Sequence, residues 1–312
     1  MNIEKLNFQF DKEFQIGKEY LASLPDLQFG EIKGSKTKIS KVGISNFHLP
    51  LKLKTKDGNE QELECSIVGT VSLEALKKGI NMSRILRVFY ERKDQTFDIG
   101  LLCDILSDYK KKLETFEAHI LCSFRYKVWQ ESLRSLKDDG TKNGGWQFYN
   151  VTFEVNYYNR LEKVIHLDFV YSSACPCSTE LSLHAIEKRD QFGIPHSQRS
   201  VMRISIKADE LIWIEDIIKY AQDALVTETL VFCKREDEQA FAELNAGNTK
   251  FVEDAVRLMY ERLELEKNIQ DFKLIASHNE SLHSHDAIAV MIGGNGYFND
   301  NISIADLKSL IY

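Results

Sequence analysis

The chemistry-bearing residues of this chain fall into five short clusters. The first is Ser173-Ala-Cys175-Pro-Cys177-Ser178. A cysteine thiolate is both a metal ligand and a nucleophile. The proline between the two predicts an extended turn that points both thiols away from regular structure. Cys-x-Cys is not the Cys-x2-Cys of a zinc ribbon and no second pair exists, which excludes a structural four-cysteine zinc site. The second cluster is His196-Ser-Gln-Arg199-Ser and the third is Lys234-Arg235-Glu-Asp-Glu238. The fourth is Glu253, beside the apolar face of a helical pattern. The fifth, His278-Asn-Glu280-Ser-Leu-His283-Ser-His285-Asp286, holds three histidines and two acids. Glu280 and His283 are the residue types of a general acid–base pair, and metal ligation is the competing use. Each cluster alone has a bland reading: small hydrophobes in a loop, a core histidine, a solvated charge run, a helix-surface carboxylate.

These clusters need elements to hold them. Strand-like runs lie near Ile39–Leu53 and Gln61–Val71, with Lys56-Asp-Gly-Asn59 as the turn between them. Ile99, Leu102, Leu106, Tyr109, Leu113 and Phe116 fall at helical spacing. Strands follow near His119–Trp129 and Trp146–Tyr158. In the second, Val151, Phe153, Val155 and Tyr157 alternate with polar residues, as in a half-buried antiparallel strand. The second half repeats the order, with strands at Ile165–Phe169 and Met202–Ile206. A helix with stripe Leu211, Ile214, Ile218, Ala221 and Leu225 comes next, then one with Val252, Val256, Met259 and Leu263. Strands near Asp271–Ala276 and Ile288–Ile292 close the chain. The expected class is α+β: an N-terminal arm (1–34) and two similar modules (35–160 and 161–312), each an antiparallel sheet with helices on one face. Open sheet edges call for edge-to-edge oligomerisation. Leu183–Pro195 reads as a surface elaboration near the site.

Among 312 residues, 43% are hydrophobic and 28% charged, and the net charge is −7. An acidic chain is a poor general nucleic-acid or anionic-membrane binder. No apolar run approaches the ~20 residues of a membrane helix. The N-terminal residues show no signal-peptide pattern, and six scattered cysteines suggest no disulfide framework. A cytoplasmic location is expected.

Taken together and in order, Cys-Pro-Cys-Ser, His-x-Gln-Arg-Ser, Lys-Arg-x-Asp-Glu, Lys-Phe-x-Glu-Asp and Asn-x-Glu-Ser-x-His-x-His-Asp-Ala resemble the prokaryotic type IB GTP cyclohydrolases. Lys78-Gly-Ile-Asn81-Met-Ser-Arg84 matches a further motif, with Asn81 standing where the family leads one to expect histidine. The resemblance spans about residues 35–292. It implies the tunnelling fold, in which two modules per chain assemble into a barrel-like homo-oligomer, usually a tetramer, with active sites at interfaces. It implies one divalent metal, Zn(II) or Mn(II), on Cys175, His196 and Glu238, with Cys177 as the alternative thiol ligand or a nearby acid–base group. Glu253 would anchor guanine; Arg199, Arg84, Lys234 and Arg235 would meet the triphosphate. Activated water would attack C8 of GTP, with His283 protonating a ring nitrogen and Glu280 orienting it or shuttling the proton. The products would be formate and 7,8-dihydroneopterin triphosphate, the start of folate and pterin synthesis. Two rival readings keep the fold: a nitrile reductase, which needs no metal, and a non-catalytic purine- or pterin-binding module. A third is a cysteine hydrolase with Cys177 as nucleophile.

Overall fold

In a computed structural model, residues 9–25 and 30–311 are described. Residues 1–8 and 26–29 of the expected arm lie outside the described residues; the described part carries α1 (Lys18–Ser23), which has no buried residue. One nine-stranded sheet organises the rest, in the order β3-β1-β2-β4-β5-β6-β7-β8-β9. Its strands are β1 (Ile39–Lys54), β2 (Glu60–Leu73), β3 (Thr96–Phe97), β4 (Ala118–Leu136), β5 (Lys142–Tyr157), β6 (Leu161–Ala174), β7 (Ser197–Lys207), β8 (Asp271–His278) and β9 (Ala287–Gly294). All neighbours are antiparallel except the two-residue β1–β3 pairing. The two halves of the chain are joined through β5 and β6, which pair from Asn150↔Asp168 to Tyr157↔Leu161. The long β4–β5 hairpin closes on Lys137–Thr141, where Gly140 takes the positive φ (80°) that the turn needs.

Period-two alternation separates the sheet's faces. Ile120, Cys122 and Phe124, then Phe153 and Val155, Leu167 and Phe169, Ile204 and Ile206, and Leu274 and Ala276 are buried in one core cluster. Helices α2 (Met82–Tyr90), α3 (Ile99–Leu113), α5 (Ile214–Leu225) and α7 (Val252–Glu264) bury their apolar stripes in that same cluster. The other face is polar over the sheet centre. There Glu154 accepts from His166 (2.9 Å) and lies 3.3 Å from His119, and Arg203 grips Asp168 through two bonds of 2.8 and 2.9 Å. The C-terminal α8 (Ile304–Ser309) lies against this face, with Asp306 on Arg203 and Leu310 against Val201 and Ile275.

Several expectations are corrected. Asp98 caps α3 by accepting from the Leu101 amide (2.7 Å), and Glu114 ends it in the left-handed conformation. Phe116 therefore falls outside the helix and is 70% exposed. Leu211 precedes α5 and is likewise exposed. Cys-Pro-Cys is not an extended turn: Pro176 opens the helix α4 (Pro176–Arg189), a position where its missing N–H costs nothing. The first part of the expected surface elaboration, Leu183–Arg189, is the end of this helix, which buries none of its residues. The charge run at 234–238 opens another helix, α6 (Arg235–Gly247).

Candidate active site

Cys175 is the half-buried N-cap of α4, where β6 ends, and Cys177 is exposed in the first turn. The Cys175 amide donates to the carbonyl of His196 (3.1 Å), so the cysteine motif and the start of β7 are tied together. The His196 amide is in turn bonded to Ser178 Oγ (3.2 Å). His196 is partly buried, and its Nδ1 lies 3.2 Å from Gln198 Oε1 and 3.5 Å from Glu280 Oε2. That Glu280 oxygen is buried and has no hydrogen-bond partner. Leaving a buried carboxylate oxygen unmatched is costly, so the position is suited to a cation or a donor group.

Next to this corner lies a pocket of about 480 Å³, lined by Ser197, Gln198, Arg199, Cys233, Glu238 and Phe241 among others. One wall is the segment 227–230, held beside β6 by Ser172 N–H donating to the Thr227 carbonyl (2.7 Å). The other is the first turn of α6. Asp237 fixes that turn. It is fully buried and accepts from the amides of Lys234 (3.0 Å), Arg134 (2.7 Å) and Ser135 (2.9 Å). Burial alone would raise its carboxyl, but the Ser135 side chain, and after it these amides, outweigh burial and hold the group well below the usual carboxylate range.

Under the site runs a buried polar network. Gln198 Nε2 donates to Ser173 Oγ (2.9 Å), Ser173 meets Ser200 (2.8 Å) and His278 Nδ1 (3.2 Å), and His278 Nε2 meets Tyr171 OH (2.9 Å). Burial, helped by nearby Lys250, lowers His278 to about 4, so it is neutral at pH 7. Burial also lowers Lys250 to about 8; its ammonium donates to the Asn248 carbonyl (2.6 Å) and Thr227 Oγ1 (3.1 Å). The Lys250 amide donates to the Ala174 carbonyl (3.2 Å), which brings the start of α7, with exposed Glu253 in its first turn, beside the cysteine motif.

The structure therefore gathers Cys175, His196 and Glu280 at one corner and Arg199 and Glu238 at the adjoining pocket. Lys234 and Arg235 are exposed at the start of α6. His283 and His285 stack on each other in the exposed loop before β9 (centroids 4.9 Å apart), and Glu280 turns to His196. Arg84 lies apart. It sits on α2 and donates to the Lys112 carbonyl of α3 (2.8 Å), away from the pocket's lining. Asn81 precedes α2, its Oδ1 accepting from Ser83 (2.6 Å). Among the described residues no three His, Cys, Asp or Glu side chains are gathered as a complete metal-binding group. The donor types still fit a divalent metal: a thiol, an imidazole and carboxylates border one corner, one of them with an unmatched oxygen.

The family described as type I GTP cyclohydrolase folE2 matches residues 24–289. The chain belongs to that family. Proteins named GTP cyclohydrolase FolE2 are 48% identical in Dinoroseobacter shibae (97% of this chain, 83% of that protein) and 47% in Paracoccus denitrificans (98% and 95%). One from Cereibacter sphaeroides is 50% identical (97% and 84%). Uricase from Arthrobacter globiformis has a similar structure, with TM-score 0.51 at 8% identity over 85% of this chain and 97% of that one. At that identity the likeness speaks for the fold alone, and it is the tunnelling fold. Family and fold are those the motifs led one to expect. Within its clusters the motif reading gave no role to Gln198, Ser173, His278 or Asp237, which the structure places beneath and beside the pocket. For His278 a signal existed: it continues the inward series Phe272, Leu274, Ala276 at period two.

Proposed function

We propose that this GTP cyclohydrolase opens the guanine ring of GTP at C8 on a divalent metal held by Cys175, His196 and Glu238, releasing formate and forming 7,8-dihydroneopterin triphosphate for pterin and folate synthesis. The observation that carries the site is the tie between Cys175 and His196 beside the unmatched carboxylate oxygen of Glu280. Zn(II) or Mn(II) suits a mixed thiolate, imidazole and carboxylate set. The metal, when bound, supplies the Lewis acidity that makes water a competent nucleophile near neutral pH. Cys177, one residue into α4, is the neighbouring thiol, available to move a proton.

Glu253 faces guanine: a carboxylate accepts from both N1–H and the exocyclic amine. Arg199, at the pocket, and Lys234 and Arg235, at the start of α6, bind triphosphate oxygens. Glu280 orients His283 or shuttles the proton, and His283, on the loop that follows, delivers it to the opened imidazole ring. Arg84 is distant from this pocket within one chain, so a neighbouring copy supplies it. That reading is supported by α4, which buries none of its residues and exposes Leu181 and Leu183 beside the site, with exposed Phe192 and Ile194 just after it. A homotetramer that covers this surface and completes each site follows. Among the described residues no helix is long and apolar enough to cross a membrane, and we place the enzyme in the cytoplasm.

The test is metal content beside kinetics. Cys175→Ala and Glu238→Gln are expected to lose bound metal, and Cys177→Ala to keep it while losing turnover. Full metal content in Cys175→Ala with none in Cys177→Ala would reverse the two thiols' roles.

A further inference from the structure

We infer that Gln198 is a positioning residue for His196: its side-chain carbonyl takes the Nδ1–H of the imidazole and leaves the Nε2 lone pair for the metal. The inference rests on the reading of His196 as a metal ligand. A neutral imidazole has one N–H and one lone pair, and the partner of one nitrogen decides what the other can do. Two acceptors stand near His196 Nδ1. Gln198 Oε1 is at 3.2 Å and makes the hydrogen bond; Glu280 Oε2 is at 3.5 Å and makes none. The amide oxygen therefore accepts the Nδ1–H, and the carboxylate stays available for proton work on the substrate.

The amide is itself held from behind. His196 and Gln198 are two residues apart at the start of β7, so their side chains share one face. Gln198 Nε2 is fixed on Ser173 Oγ (2.9 Å), a fully buried hydroxyl that also meets Ser200 and His278. Among the described residues Tyr171 OH has only His278 Nε2 as its partner, so it donates there. Nδ1–H of the neutral His278 then donates to Ser173. These contacts come from three neighbouring strands, β6, β7 and β8, so the amide cannot turn without breaking bonds inside the core. A side chain in the wall of the pocket thus transmits the rigidity of the sheet to the imidazole. A glutamine in this place orients the ring without adding a second charge beside Glu280.

The experiment uses the full-length assembled enzyme, stripped of metal and titrated with Zn(II) against a chromophoric chelator. Alongside it, ¹⁵N spectra of the metal-free protein report which His196 nitrogen carries the proton. Gln198→Met keeps the size and removes the acceptor; it is expected to weaken Zn(II) binding by about 10- to 100-fold, the range for losing such an orienting partner. Gln198→Glu restores an acceptor and is expected to recover most of the affinity. Ser173→Ala, which loosens the amide, is expected to fall between. The wild-type spectrum is expected to show His196 protonated at Nδ1, and Gln198→Met a mixture. Unchanged Zn(II) affinity in folded Gln198→Met overturns the inference. So does a wild-type spectrum with the proton on Nε2, a result that stands even if the variants fail to fold. His196→Ala separates the two levels: if it retains full Zn(II) affinity, the ligand assignment itself fails.

Discussion

Removing the Asp237 carboxyl should unfasten α6 from the β4–β5 hairpin. In Asp237→Ala three backbone amides, those of Lys234, Arg134 and Ser135, lose their acceptor at once. Ser135 is buried, and a buried donor left unsatisfied costs about 1–3 kcal/mol. Loss of the bond at the helix start adds roughly 1 kcal/mol. The Lys234 and Arg134 amides are nearer solvent and recover part of their loss through water, so the total is about 3 kcal/mol. Asp237→Asn keeps one oxygen for Arg134 and Ser135 and turns an amide N–H₂ toward Lys234, so it should cost about half as much. The sign with pH is also fixed. The carboxyl is held below its unfolded range, so its contribution is fully present above that range and is lost as pH falls through the lower folded value. Urea unfolding of wild type, Asn and Ala variants at one fixed protein concentration measures this. An Ala variant as stable as wild type, or an Asn variant as damaged as Ala, would refute the reasoning. Because Cys233 and Glu238 flank Asp237 and line the pocket, the Ala variant should also bind Zn(II) more weakly.

His278 titrates near 4 in the folded protein and near 6.5 when unfolded. The unfolded chain therefore takes up its proton first, and stability should fall by about 3 kcal/mol as pH drops from about 6.5 to about 4. Thermal melts across that window should show this slope, and His278→Gln should flatten it. On the opposite face, Arg203→Leu deprives buried Asp168 of its two-bonded guanidinium and releases Asp306, and with it α8, from the sheet. A loss of about 3–5 kcal/mol is expected in urea, with protease sensitivity rising at the C-terminus. On the proposed role of Glu253 as guanine anchor, Glu253→Gln keeps the shape but can accept only one of guanine's two N–H groups. Steady-state kinetics should show kcat/KM for GTP falling about 10- to 100-fold with metal content unchanged.

What the sequence disclosed follows from what leaves a periodic trace. In β5 to β8 the residues that face the helices recur at period two, from Val151 and Phe153 to Leu274 and Ala276, and α3, α5 and α7 carry apolar stripes. Helices α4 and α6 leave no such trace. The first buries nothing, and the second buries only Asp237 and Ala240, so neither has a stripe to read. Phe116 and Leu211 illustrate the opposite error: they continue a stripe in spacing after the helix has stopped or before it has started. The site's residue types were legible as motifs. Its second layer was less so. Asp237 reaches Arg134 and Ser135 about a hundred residues away, and nothing local marks that contact. Gln198 lay within a recognised motif, but its partner Ser173 is on another strand.

The central claim is that this chain turns over GTP through a metal bound at Cys175, His196 and Glu238. The most direct measurement strips the purified enzyme with a chelator, restores Zn(II) or Mn(II), and follows formate together with the fluorescence of the oxidised, dephosphorylated pterin. The account predicts no turnover in the stripped enzyme, recovery on adding metal, and no recovery in Cys175→Ala or His196→Ala. Full activity in the metal-free enzyme, or metal-restored activity that survives both substitutions, would contradict it.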